Sequence, residues 1–129
     1  TASERASGET KEILHDQILG GLANVTSDEV TDVVIAYEPV WAIGTGQNAV
    51  PADVIKAVVT IRNQLKHLFG AKAAQEVQVL YGGSVTADTA ADYLALEGVD
   101  GLLVGGASLN EHAFESIVEK AFKSTKNGK

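Results

Sequence analysis

One acid stands where a run of apolar residues stops. Val33-Val34-Ile35-Ala36-Tyr37 is β-branched and aromatic, the composition of a strand buried on both faces, and it ends on Glu38 with Pro39 directly behind. Proline offers no N–H to a sheet ladder and biases the residue before it away from helical dihedrals. The strand should therefore stop with a carboxylate at its carboxyl end, where parallel α/β folds place their chemistry. Val40-Trp41-Ala42-Ile43 is apolar again, yet Gly44-Thr45-Gly46 prevents it from continuing as strand or helix. A glutamate at a strand end is commonly just solvated, and G-T-G is commonly a plain turn. Together with Trp41 and Ile43, which a solvent loop has no reason to hold unless they cover something, they read as a lid beside a buried acid.

Two glycine pairs form the second chemical feature. Gly82-Gly83-Ser84 and Gly105-Gly106 each follow an apolar strand and precede a helix. Backbone without side chains lets a ligand approach closely, and N–H groups at a helix start attract anions. Either pair alone would be read as a tight strand-to-helix turn. Two at the same end of adjacent strands favour a dianion site.

The elements that must position these residues alternate along the chain. Ser3 to about Leu22 reads as a helix with an apolar stripe of Ile13, Leu14, Ile18 and Leu22, weakened by Gly8 and ended by Gly20-Gly21. Thr26-Ser27-Asp28-Glu29 is a capping-type turn into the Val33 strand. Pro51 suits a first helical turn, and Val54, Val58, Ile61, Leu65 and Leu68 then mark an amphipathic helix closed by Gly70. Val77 to Tyr81 is the next strand, about Ala87 to Leu96 a shorter helix, and Gly101 to Val104 the last strand. Asn110 should cap a final helix with Phe114, Ile117, Val118 and Ala121 inward, and lysines including Lys120 and Lys123 favourably placed near its end. Helix, strand, helix, strand, helix, strand, helix calls for an α/β fold of parallel strands with right-handed crossovers.

The 129 residues are 45% hydrophobic, with no run long enough to span a bilayer, which excludes an α-helical membrane protein from the expected classes. A net charge of −7 argues against a nucleic-acid surface, so an anion would have to be held by local backbone donors rather than by the overall field. With Cys 0 there is no disulfide framework and no thiolate nucleophile or ligand, which fits a reducing compartment. No charged-then-apolar leader is seen, so a cytoplasmic setting is expected. His15, His67 and His112 fall on three separate helices without ligand spacing, so no metal site is expected and each reads as a helix-surface residue.

The run A-Y-E-P-V-W-A-I-G-T-G, residues 36–46, resembles the catalytic strand and flexible sixth loop of the triosephosphate isomerases. Thr1, Glu4, Arg5, Gly8 and Thr10 are similar to the segment that follows the family's fifth strand, so the resemblance covers essentially the whole chain. It implies residues 1–129 as the carboxyl-terminal portion of one (βα)8 TIM-barrel domain, with strands six to eight and four flanking helices. Such a barrel needs about 250 residues. The absence of any methionine and the opening on Thr1-Ala2-Ser3 fit the carboxyl half of a longer protein.

What the resemblance implies for function is an isomerase interconverting dihydroxyacetone phosphate and D-glyceraldehyde 3-phosphate without cofactor or metal. Glu38 would be the base that abstracts and returns the proton, made more basic as the closing lid expels water. Pro39, Val40, Trp41, Ala42, Ile43, Thr45 and Gly46 would form the lid, with Leu103 as the second wall of the clamp. Its far hinge, 47–49, carries Gln47 where the family more often has lysine, which implies a slightly different closing equilibrium. Tyr81 would hydrogen-bond the closed lid near Ala49, with plain strand packing as its other reading. Ser84, Gly105 and Gly106, joined by Gly44, would hold the substrate phosphate, while Arg62 and Asp100 match a structural ion pair. The family's lysine and electrophilic histidine match nothing in this chain, so its implied partners are a triose phosphate, the amino-terminal half of the barrel and, in the intact enzyme, a second copy. A non-catalytic half-barrel that needs that missing half is the alternative. Another phosphate-binding barrel enzyme would keep the glycine pairs but leave residues 38–46 unexplained.

Overall fold

The computed structural model describes residues 10–39 and 50–128. Val40, Trp41, Ala42, Ile43, Gly44, Thr45 and Gly46, the far hinge, and the expected helix start at Ser3 lie outside the described residues. The elements are α1 (Thr10–Gly21), α2 (Ser27–Val30), β1 (Val34–Tyr37), α3 (Pro51–Phe69), α4 (Ala71–Glu76), β2 (Gln78–Gly83), α5 (Ala90–Leu94), β3 (Gly101–Val104), a 3-10 turn (Gly106–Leu109) and α6 (Glu111–Gly128). The strands form one parallel sheet in the order β1-β2-β3.

Local sequence accounts for most of these boundaries. Thr26 and Glu29 close a reciprocal capping box, with the Thr26 N–H donating to the Glu29 carboxylate at 3.0 Å and the Glu29 N–H to the Thr26 hydroxyl at 3.3 Å. The expected turn is thereby a one-turn helix, α2, and the Thr26 N–H, then its hydroxyl, hold the Glu29 carboxyl below the ordinary carboxylate range. Pro51 opens α3, and Gly70 ends it in a left-handed conformation with φ +94°. Val54, Val58, Ile61 and Leu65 are buried as their spacing predicts, on the sheet's outer face with Val77, Val79 and Tyr81. α4 was not expected: A-K-A-A-Q-E has the propensity but only a turn and a half of length, too short for a periodic signal. α5 is shorter than its expected range, because a turn fixed by Thr86 and Thr89 takes up the residues before it.

Two expectations hold only in part. The strands are covered on one face only: Val34 is 52% and Leu103 43% exposed, on the side opposite α3. Three strands leave the inner side of the sheet without an opposing layer among the described residues. On α6, Phe114 and Val118 line the groove beside β3 with buried Ile117, as their spacing predicts, but are incompletely covered there, at 41% and 51% exposed.

The amino ends of β2 and β3 are locked by one guanidinium. Arg62 Nη1 donates to the carbonyls of Ala74 (2.7 Å) and Val77 (2.9 Å). Its Nη2 donates to the Gly98 carbonyl (2.7 Å) and to Asp100 Oδ2 (2.7 Å). That same carboxylate oxygen accepts the Val79 N–H at 2.8 Å, and the Asp100 N–H returns a bond to the Val79 carbonyl at 2.8 Å. Gly98 reaches this arrangement through φ +89°, and a Cβ there would meet Val58 Cγ1 at 2.9 Å. Replacing Arg62 by methionine takes the guanidinium from three carbonyls and from the Asp100 carboxylate, and we expect amide-exchange protection at Val79 and Asp100 to fall roughly 30-fold, an opening cost lowered by about 2 kcal/mol.

Candidate active site

The carboxyl ends of the strands meet in a single row. Tyr37 pairs with Tyr81 and Gly82 with Leu103, so the next inner position of each strand carries Glu38, Gly82 and Leu103 side by side. The middle of this row has to be empty. A Cβ on Gly82 would meet Glu38 Cγ at 2.6 Å, Glu38 Cδ at 3.2 Å and Leu103 Cβ at 3.4 Å. The acid therefore lies across the glycine, with an apolar wall beyond it.

This corrects the reading of the first glycine pair. Gly82 and Gly83 are not a turn after the strand but its last two rungs, paired with Leu103 and Val104. Gly82 makes room for the acid, and a Cβ on Gly83 would meet the Tyr81 hydroxyl at 2.5 Å on the opposite face. Gly105 and Gly106 differ, since added Cβ atoms there meet nothing within 4 Å. Beside them lies an open cleft of about 720 Å³, lined by Glu38, Ser84, Thr86, Leu103, Gly105 and Gly106 among others.

The structure thus brings Glu38, Ser84, Leu103, Gly105 and Gly106 to one cleft at one end of the sheet. Glu38 itself is exposed rather than buried, on the sheet face that has no opposing layer among the described residues. Pro39, directly after it, is buried. Tyr81 points to the outer face, fully buried, stacked on Tyr93 at 4.3 Å and 6.4 Å from Tyr37. Burial, and then the neighbouring Tyr81 phenol, push the Tyr93 phenol well above the ordinary tyrosine range. Among the described residues the Tyr81 hydroxyl has no hydrogen-bond partner, an unusual state for a buried donor.

Both walls of the cleft are braced locally. Thr86 and Thr89 exchange backbone-to-hydroxyl bonds at 3.0 and 3.2 Å, which stiffens the loop after Ser84. The Gly105 carbonyl accepts the Ser108 N–H (2.9 Å) and hydroxyl (2.6 Å), which closes the turn at the second glycine pair. Chemically, the arrangement offers a carboxylate able to take up and return a proton, facing main-chain segments open enough for an anion. His15, His67 and His112 are all exposed, and among the described residues no three His, Asp or Glu gather as a metal site.

The residue that sequence reasoning misplaced is Gly82, whose purpose depends on strand register. The clash predicted for Gly82→Ala should cost about 1–3 kcal/mol of overpacking. It should also displace the acid, seen as a shifted Glu38 side-chain carboxyl resonance, whereas Gly105→Ala, with open space around it, leaves that resonance in place.

Comparison with known proteins accounts for this combination of parts. The family model described as Triosephosphate isomerase matches residues 1–121. Curated proteins named triosephosphate isomerase are similar throughout. The one from Roseiflexus sp. (strain RS-1) is 48% identical over 118 residues, covering 92% of this chain and 46% of the relative. That from Carboxydothermus hydrogenoformans is 45% identical over 119 residues, covering 92% and 47%. That from Chloroherpeton thalassium is 43% identical over 121 residues, covering 94% and 48%. The chain spans about half the length of these relatives, and its three parallel strands with flanking helices are consistent with part of a TIM barrel. An acid-tipped strand beside a glycine rung, a glycine-rich turn on the same cleft and a matching family model over 121 residues have one common explanation: the chain belongs to the triosephosphate isomerase family.

Proposed function

We propose that this chain forms the carboxyl-terminal portion of a triosephosphate isomerase, which interconverts dihydroxyacetone phosphate and D-glyceraldehyde 3-phosphate. Glu38 takes a proton from one carbon of the bound triose phosphate, leaving an enediolate, and returns it to the neighbouring carbon. One carboxylate serves both steps, so the site needs no cofactor or metal. Ser84, Gly105 and Gly106 hold the phosphate, joined by the Gly44 N–H when residues 39–46 close. Closure expels water, raises the basicity of Glu38 and keeps the intermediate from losing its phosphate.

The observation that carries this reading is that Glu38 shares one cleft with Ser84, Gly105 and Gly106, across a strand position emptied for it by Gly82. The buried Tyr81 hydroxyl, without a partner among the described residues, also suits a donor that waits for lid backbone near Ala49. Leu103 lines the same cleft as the clamp's second wall. The reading includes a lysine and an electrophilic histidine from an amino-terminal half, a homodimer in the intact enzyme and a cytoplasmic setting.

The test is co-expression with a matching amino-terminal half, followed by an isomerisation assay. We expect activity in the mixture but in neither half, and a kcat about 100-fold lower with Glu38→Asp, which withdraws the base by roughly one methylene. Wild-type rates in Glu38→Asp would refute the base assignment.

A second reading is favoured by the exposed apolar surface: alone, the chain is a non-catalytic half-barrel. Its inner sheet face is bare at Val34 and Leu103. An open groove of about 810 Å³ between β3 and α6 is flanked by Phe114 and Val118, and Phe122 further along α6 is 67% exposed. Apolar faces and unpaired strand edges of this kind recruit other chains. The isolated chain should therefore run as an oligomer or aggregate in size-exclusion chromatography, and a sharp monomeric unfolding transition would contradict this.

A further inference from the structure

The two walls of the cleft belong to separate parts of the chain. One is the loop from Ser84 to Ala87 after β2, and the other is the Gly105–Gly106 turn before α6. Each is braced within itself, by the Thr86–Thr89 exchange and by Ser108 on Gly105 respectively. The Gly83–Val104 rung fixes the spacing at the foot of the two walls, but neither brace spans the cleft beyond it, and one dianion held by both walls requires that spacing to be fixed too.

That spacing is bridged from behind by α6. The helix starts directly after the second wall, where the Asn110 side chain accepts the Ala113 N–H at 3.0 Å. Nearly three turns on, the Lys120 ammonium reaches back and donates to the main-chain carbonyl of Ala87, the last residue of the first wall. Lys120 is half-buried, and the carboxylate nearest it along the helix, Glu119, is taken by Lys123 at 2.9 Å rather than by Lys120. A charge-assisted bond to a carbonyl is stronger than a neutral one, and the flexible lysine stem carries the ammonium away from the helix to reach it. Because α6 runs on to Gly128, Lys120 stands well before the last turn, where the expected contact with the helix dipole does not reach.

We propose that Lys120 is a positioning residue for the anion cradle: through the Ala87 carbonyl it sets the distance between the Ser84–Ala87 loop and the Gly105–Gly106 turn. The proposal rests on the phosphate-binding reading of that cleft and adds to it a residue outside the cleft lining. The test uses this chain co-expressed with the matching amino-terminal half, with inorganic phosphate as probe in equilibrium dialysis, beside hydrogen-exchange mass spectrometry of the 84–90 segment. Lys120→Met keeps the stem and removes the donor, and it should weaken phosphate binding about tenfold while exchange in 84–90 speeds up by a similar factor. Lys120→Arg, which keeps a donor, should restore binding to within about threefold of wild type. Undiminished phosphate binding by Lys120→Met overturns the inference alone. Faster exchange spread equally over α3 and the sheet, with no rescue by Lys120→Arg, also overturns it, in favour of a general structural role. No binding by the wild-type chain would instead remove the phosphate reading, and the inference with it.

Discussion

One guanidinium governs how the two later strands lie beside each other. Arg62 spends four hydrogen bonds on acceptors from α4, the entry to β2, the turn before β3 and the first acid after it. A lysine offers three donors from a single point and could not match four acceptors spread over a plane. Because Asp100 Oδ2 is shared with the Val79 N–H, the ion pair also sets the pairing of β2 with β3. A slip of one residue would turn every side chain of β3 to the other face. The contact at the amino ends of the strands thus decides which residues face one another at the carboxyl ends, where the cleft lies.

At those carboxyl ends the constraint is volume. Glu38 needs space above the middle strand, and Gly82 supplies it by having no side chain. One rung further, Gly83 leaves room for the Tyr81 hydroxyl on the other face. Two adjacent glycines in one strand therefore answer two separate packing demands, one inward and one outward. Gly105 and Gly106 have no such neighbours, and the open space beside them is the kind a bound group would fill. Glycines of identical appearance in the sequence thus do different physical work.

The core and the cleft stand on opposite sides of the sheet. Val54, Val58, Ile61 and Leu65 from α3 close over Val77, Val79 and Tyr81, and this outer layer is as dry as the middle of a larger domain. The inner side holds Val34 and Leu103 in contact with solvent. A parallel sheet is ordinarily covered on both faces, so the same strands that pack well outward remain half-covered inward.

Residue order alone was enough for the alternation of helices and strands, the α3 core stripe, the acid at the end of β1 and the Arg62–Asp100 pair. Each is carried by local periodicity, by proline and glycine punctuation, or by a resemblance held in a short run of residues. It was not enough for the purpose of Gly82, the length of β2, the incomplete cover of Phe114 and Val118, or the reach of Lys120 to Ala87. Those depend on which strand position stands opposite which and on which faces find a partner, and both are set by contacts between residues distant in the chain. Periodicity can name a helix's apolar stripe, but only packing decides how much of it is covered, as the exposure of Phe114 beside buried Ile117 makes plain.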